Sequence, residues 1–282
     1  MVFHEISKKI HEWLCKQPNV KEESLTDWLL FELSQKNKLI KYFAFTRNEE
    51  STIGADWDWW ILTTIGAYRF RVQAKKLRVD KDNWSSINYS NKHGTQIDIL
   101  RESAKRDYAF PLYMMYSSSL PNVCKQSNTY RSDIFQNLIK RCKDCPCGSF
   151  LSPARNVFNT VFGSKRRVIN DETLLNISLK LSSFDYFFES KNSMKNLCEN
   201  LELLHSNCAN GLLPNYCDGF KFEYEESGYC NNQQTIPDWL NALIREKRQF
   251  KESLIPKFFE DEFKHKLPDV QGFVFIDLRD KL

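Results

Sequence analysis

The chain has 282 residues, 41% of them hydrophobic and 27% charged, which is enough to bury a core in one large domain or two modest ones. Its formal net charge of +4 falls well short of the basic domains that announce nucleic-acid binding by charge alone. No apolar run reaches the roughly 18 residues of a membrane span, and MVFHEISKKIHEWLCKQ at the start is charged throughout, unlike a signal peptide; a soluble, cytoplasmic protein with no membrane partner is expected.

In chain order, ESLTDWLLFELSQKNK opens with Ser24 and Asp27 at capping-box spacing and carries Trp28, Leu29 and Leu33 at helical intervals, which predicts a helix from about Leu25 to Lys36. The apolar KLIKYFAFT reads as a strand. DWWILTTIG and AYRFRVQAKKL are rich in β-branched and aromatic residues with Gly66 between them, so they should pair as an antiparallel hairpin. After a polar loop, GTQIDILRESAKRD places Ile97, Leu100 and Ala104 on one helical face, and FPLYMMY reads as another strand.

The order helix, strand, strand, strand, helix, strand predicts an α/β core with a mixed sheet over residues 1–120. Residues 121–282 read as a mostly helical accessory region. There YRSDIFQNLIKRC, SPARNVFNTVF, DETLLNISLKL and PDWLNALIREKRQFKESL look helical, residues 205–235 look loop-like, and DVQGFVFIDL gives a strand near 270–278 that could return to the core sheet.

Chemistry concentrates in the hairpin. Side chains of a strand alternate between faces, so Asp56 and Asp58 share one face of the first strand, and Gln73 and Lys75 share one face of the second. An acid, an amide oxygen and an ammonium gathered at one sheet edge suit a hard Mg²⁺ ion and a water that Lys75 orients. The competing reading is a structural ion pair in a tryptophan-rich core.

The order of elements, with Gly54-Ala-Asp56 on one strand and Gln73-Ala-Lys75 on the next, 17 residues on from Asp56, resembles the PD-(D/E)XK nuclease superfamily in its Mrr-like Q-x-K form. EESLTDWLL, FTRNEESTIGADWDWW and RFRVQAKKL also look like a little-characterised bacterial family of that type, and the resemblance covers residues 22–116. It implies a restriction-endonuclease-like core with Asp56 as metal-binding aspartate, Gln73 in place of the acidic ligand and Lys75 as catalytic lysine. Asp58, Glu23 and Glu50 are candidates to complete the metal set, with Glu22 a close rival of Glu23. Mg²⁺ or Mn²⁺ is the implied cofactor and cleavage of DNA, with RNA left open, the implied reaction, in bacterial defence against phage or foreign DNA. A homodimer and a regulatory partner protein are left open, as is a catalytically inactive module that binds nucleic acid or a partner protein, because Gln73 removes one negative ligand.

Other signals are weaker. Arg69, Arg71, Lys76 and Arg78 line the second strand and its end, where a phosphate backbone would approach, or where they would protect a solvated sheet edge. Lys165, Arg166 and Arg167 read as a solvated loop. Gln96 opens the second helix where some members of the resembling superfamily carry a glutamine near the site, but the tyrosine that follows it there is absent, so an exposed helix-start glutamine is the preferred reading. Trp57, Trp59 and Trp60 read mainly as core, with base stacking the lesser reading. Among nine cysteines only Cys142, Cys145 and Cys147 in CKDCPC are close enough to suggest zinc; without a second such pair, free thiols in a reducing compartment are the preferred reading over a structural Zn²⁺.

Overall fold

Phe3, Ile6, Ile10 and Leu14 recur at helical spacing and are buried, so the chain opens with an amphipathic helix that the expected elements did not include. In a computed structural model, which describes residues 2–44, 53–62, 67–76, 87, 89–91, 94–107, 109–118, 146–162, 178–185 and 272–278, this helix is α1, Val2–Lys16. It is followed by α2, Glu22–Lys36, and the strands β1, Ile40–Ala44, β2, Trp57–Leu62, and β3, Ala67–Lys76. Two short strands, β4 (Ser90–Asn91) and β5 (Gly94–Thr95), lead into α3, Gln96–Arg106. Then come β6, Phe110–Tyr116, β7, Ser149–Pro153, α4, Ala154–Phe162, β8, Leu179–Lys180, and β9, Gly272–Asp277.

The sheet is mixed and seven-stranded in the order β1-β9-β2-β3-β6-β7-β8, β8 contributing only two residues. As the sequence suggests, β2 and β3 pair antiparallel, with Asp58 opposite Arg71 and Leu62 opposite Ala67; the turn at Gly66 lies outside the described residues. β3 runs parallel to β6, which places Gln73 opposite Tyr113. β9 sits between β1, to which it is antiparallel, and β2, to which it is parallel.

Strand alternation divides the sheet into two faces. Trp57, Trp59, Ile61, Phe70, Val72, Ala74, Leu112, Met114, Val274 and Ile276 join the buried residues of α1 and α2 in one apolar core. α3 packs on β6 and β3, and α4 on β6 and β7. All three tryptophans of β2 are buried, so none is presented for stacking on a base.

Two local expectations are corrected. α2 begins at Glu22, its N-cap is Lys21 without a side-chain cap bond, and Ser24 lies inside the helix; Glu22 and Glu23 in the first turn complement the helix dipole instead. The end of DETLLNISLKL is not helical: Leu179–Lys180 pairs with Phe150 and Leu151 as β8, and a short 3-10 turn, Leu181–Ser183, follows. Just beyond it Asp185 accepts hydrogen bonds from the backbone N–H groups of Phe3 (3.0 Å) and His4 (2.7 Å), capping α1 from far along the chain. The proposed helices at 130–142 and 237–254 and the loop at 205–235 lie outside the described residues.

Candidate active site

A tight backbone turn delivers Asp56 to the head of β2. Gly54 has φ +69°, a left-handed conformation that favours glycine, and a Cβ there would stand 2.7 Å from the Gln96 carbonyl oxygen and the Leu100 nitrogen of α3. The Asp56 N–H then donates to the Val72 carbonyl at 2.9 Å, extending the β2–β3 ladder. The Asp56 carboxylate faces β3, where Oδ2 accepts from Gln73 Nε2 at 2.6 Å and from the Ala74 backbone N–H at 2.8 Å.

The acid supplied by a helix is Glu22, not Glu23. Glu22 Oε1 lies 3.6 Å from Lys75 Nζ, and Oε2 accepts from the Lys76 backbone N–H at 2.6 Å. Burial pushes the Glu22 carboxyl up to about 7, the Lys75 ammonium pulling it down and the Asp56 carboxylate pushing it further up. Glu23, one residue on, is exposed. Helical geometry turns neighbouring residues about 100° apart, so one of the two acids of EESLTDWLL reaches the sheet and the other does not. Glu50 and Arg78 lie outside the described residues.

Asp58 is corrected from metal ligand to structural ion. It is fully buried, and its oxygens accept from Arg71 Nε at 3.1 Å and Arg69 Nε at 2.9 Å. Burial alone would raise its pKa, but Arg69 and Arg71 together hold it below the usual carboxylate range. The same geometry removes these arginines from the nucleic-acid surface: Arg71 is enclosed and also donates to Asp107 Oδ2 at 2.7 Å, while Arg69 donates to the Asp107 carbonyl and stacks 5.0 Å from the Trp60 ring centre. Lys76 is likewise committed, its ammonium donating to the carbonyls of Pro18 (2.8 Å) and Val20 (2.5 Å) in the α1–α2 connection.

Gln96 joins the site, contrary to its reading as an exposed helix-start residue. Its Nε2 donates to Gln73 Oε1 at 3.0 Å, while its own Oε1 is buried with no hydrogen-bond partner. The side chain reaches Gln73 because Thr95, whose Oγ1 accepts from the Asp98 N–H at 3.3 Å, caps α3 and fixes where the helix starts. Tyr113, opposite Gln73, is also fully buried with an unpartnered hydroxyl, and burial raises its pKa, helped by the nearby Asp56, Asp98 and Glu22 carboxylates.

The resulting constellation is Asp56, Glu22, Gln73, Lys75 and Gln96. Among the described residues no group of three His, Cys, Asp or Glu side chains is gathered closely enough to hold a metal; the site offers two carboxylates and amide oxygens, an all-oxygen set of the kind a hard divalent cation accepts. The buried, unpartnered Gln96 Oε1 is a spare acceptor next to that set. Cys147 is a buried free thiol, 2.9 Å from Ser7 Oγ and donating to the Ser149 carbonyl, so it is packed against α1. Cys142 and Cys145 lie outside the described residues.

A family model described as a family of unknown function (DUF6615) matches residues 1–274. The chain belongs to that family. No curated protein matches it. The DUF6615 match takes in every residue of the constellation and all elements up to the first half of β9. Among the described residues, no helix is long and apolar enough to cross a membrane.

Proposed function

We propose that this DUF6615 chain is a Mg²⁺- or Mn²⁺-dependent endonuclease that hydrolyses DNA phosphodiester bonds, with a restriction-endonuclease-like core of the PD-(D/E)XK type. The observation that carries the reading is that Asp56, Gln73 and Lys75 are spaced as that superfamily's motif, with Gln73 hydrogen-bonded to Asp56 and Lys75 ion-paired to a helix-borne acid, Glu22, which also accepts from the Lys76 backbone N–H. A role in bacterial defence is supported by the resemblance alone, and a cytoplasmic location by the irregular, unpaired spacing of the cysteines.

Asp56 and Glu22 would supply carboxylate oxygens to the cation, and Gln73 would supply an amide oxygen. A bound divalent ion supplies Lewis-acid stabilisation of the charge that develops on the phosphoryl oxygens. Lys75, ion-paired to Glu22, would orient the attacking water and offset charge on the scissile phosphate. The water oxygen bonds to phosphorus as the phosphorus–oxygen bond to the sugar of the leaving strand breaks, the water's proton passing to solvent and the leaving sugar oxygen taking one up as a hydroxyl.

A second reading, a catalytically silent module that binds nucleic acid or a protein, draws on one observation: Asp56 Oδ2 already accepts two N–H donors without any cation. The two readings separate in one assay. Supercoiled plasmid, linear duplex, single-stranded DNA and RNA are incubated with Mg²⁺, Mn²⁺ or EDTA. Metal-dependent cutting is expected, lowered by roughly 100-fold or more in Asp56→Asn and Lys75→Met. A folded protein that cuts nothing with either metal, and gains no thermal stability from them, leaves the silent module as the reading.

A further inference from the structure

Asp56, Gln73 and Gln96 form a chain of hydrogen bonds whose direction is set at one end only. Gln73 donates Nε2 to Asp56 and accepts at Oε1 from Gln96 Nε2. The amide oxygen that would serve a cation thus points away from Asp56, toward Gln96. Yet Gln96 carries an unused acceptor, its buried Oε1. If both amides turn over, Gln73 Nε2 donates to Gln96 Oε1 and Gln73 Oε1 faces Asp56, with the Gln73–Gln96 bond kept in number and reversed in sense. An amide presents a donor and an acceptor at nearly the same positions, so the two senses fit one cavity. What chooses between them is the neighbour: a bare carboxylate wants the NH₂ group, whereas a carboxylate sharing a cation wants a second oxygen.

We infer that Gln73 and Gln96 are a reversible amide pair that turns over when a divalent cation binds at Asp56, with Gln96 the positioning residue that lets glutamine replace an acidic ligand at position 73. The inference rests on the metal-dependent reading above and extends it to a residue without direct access to the cation. It also accounts for the acceptor left over on Gln96: the spare group is the one used in the other sense. In the metal-free sense Gln73 further donates to the Ala74 carbonyl at 3.1 Å, a bond that the turn gives up.

The test is a Mg²⁺ titration of the ¹⁵N-labelled full chain without substrate, following side-chain amide signals assigned by their loss in Gln73→Met and Gln96→Met. Both NH₂ groups are expected to shift and to saturate together with the Ala74 backbone N–H, which reports directly on Asp56. In Gln73→Glu, which can only accept, the Gln96 signal is expected to stay in place while Ala74 still responds. Calorimetry adds a second check: Gln96→Glu, an obligate acceptor, turns Gln73 over in advance and tightens Mg²⁺ binding roughly five- to tenfold, the size of one hydrogen bond, and less so in a Gln73→Met background, which keeps the added charge but has no amide to turn. Movement of Ala74 without Gln96 in the wild type, or equal tightening in both backgrounds, overturns the amide pair and leaves the metal site standing. No Mg²⁺ response at Ala74 overturns both.

Discussion

Glu22 carries a charge that its surroundings disfavour. Burial and Asp56 raise its pKa from 4.5 to about 7 against the pull of Lys75. For an acid raised in the folded state, the stabilising contribution is complete below the unfolded value and is lost as pH climbs through the folded one. Metal-free protein should therefore lose on the order of 2 kcal/mol between about pH 4.5 and 7.5 from this group. Urea denaturation across that window is expected to show the loss in wild type and not in Glu22→Gln, and Mg²⁺ should shrink it by giving the carboxylate a counter-charge. Asp58 obeys the opposite logic. Asp58→Ala leaves Arg69 and Arg71 buried without their shared carboxylate, and a loss of about 3–5 kcal/mol in chemical denaturation is expected. The sequence presents Asp56 and Asp58 as equivalent members of D-x-D. What separates them is that the arginines at 69 and 71 flank Asp58 across the register, and a basic strand in sequence reads equally as a surface or as the partner of a buried acid.

At the scale of elements, α3 is placed by what it leans on. Its first turn passes so close to Gly54 that no Cβ fits between them, and the Gly54 backbone itself is left-handed. Gly54→Ala is expected to cost about 1–3 kcal/mol and to displace Gln96 from Gln73, so that metal-dependent cleavage falls further than the stability change accounts for; thermal unfolding and plasmid cleavage measured together check this. The hairpin and α3 were legible because period-2 and period-3.6 patterns are local. α1 was legible too, through Phe3, Ile6, Ile10 and Leu14, but the segment's charges were used only to exclude a signal peptide. β8 was not legible: Leu179 and Lys180 are in a strand only because β7 offers an edge to pair with. Gln96 was legible only through the resemblance, which places a glutamine near the site at this helix start; its partner Gln73 is 23 residues away, and no local pattern in GTQIDIL encodes that contact.

For the whole molecule, the question is why a terminal segment should sit inside the sheet. β9 is apolar throughout, with Phe273, Val274, Phe275 and Ile276 all buried, as expected of a strand covered on both faces. Its ladder joins β1 to β2, Tyr42 meeting Val274 on one side and Trp59 meeting it on the other. Without β9, β1 loses its place in the sheet, β2 becomes an unpaired edge, and Trp57, Trp59 and Ile61 lose Val274 and Ile276 from the core they share with α1 and α2. Asp185 ties α1 to the same body from another distant segment, so the site at β2 and β3 depends on chain far outside the residues that form it. Removal of residues 272–282 is accordingly expected to abolish cooperative thermal unfolding and metal-dependent cleavage together, with the product aggregating through the exposed β2 edge. Val274→Asp is the milder form of the same test: a buried, unpaired carboxylate in that position should lower stability by several kcal/mol, while a change at an exposed residue nearby, such as Lys38→Gln just before β1, should leave the unfolding midpoint unchanged. If the truncated chain instead unfolds cooperatively and still cuts, the β1–β9–β2 ladder is dispensable and the core that positions Asp56 must be complete without it.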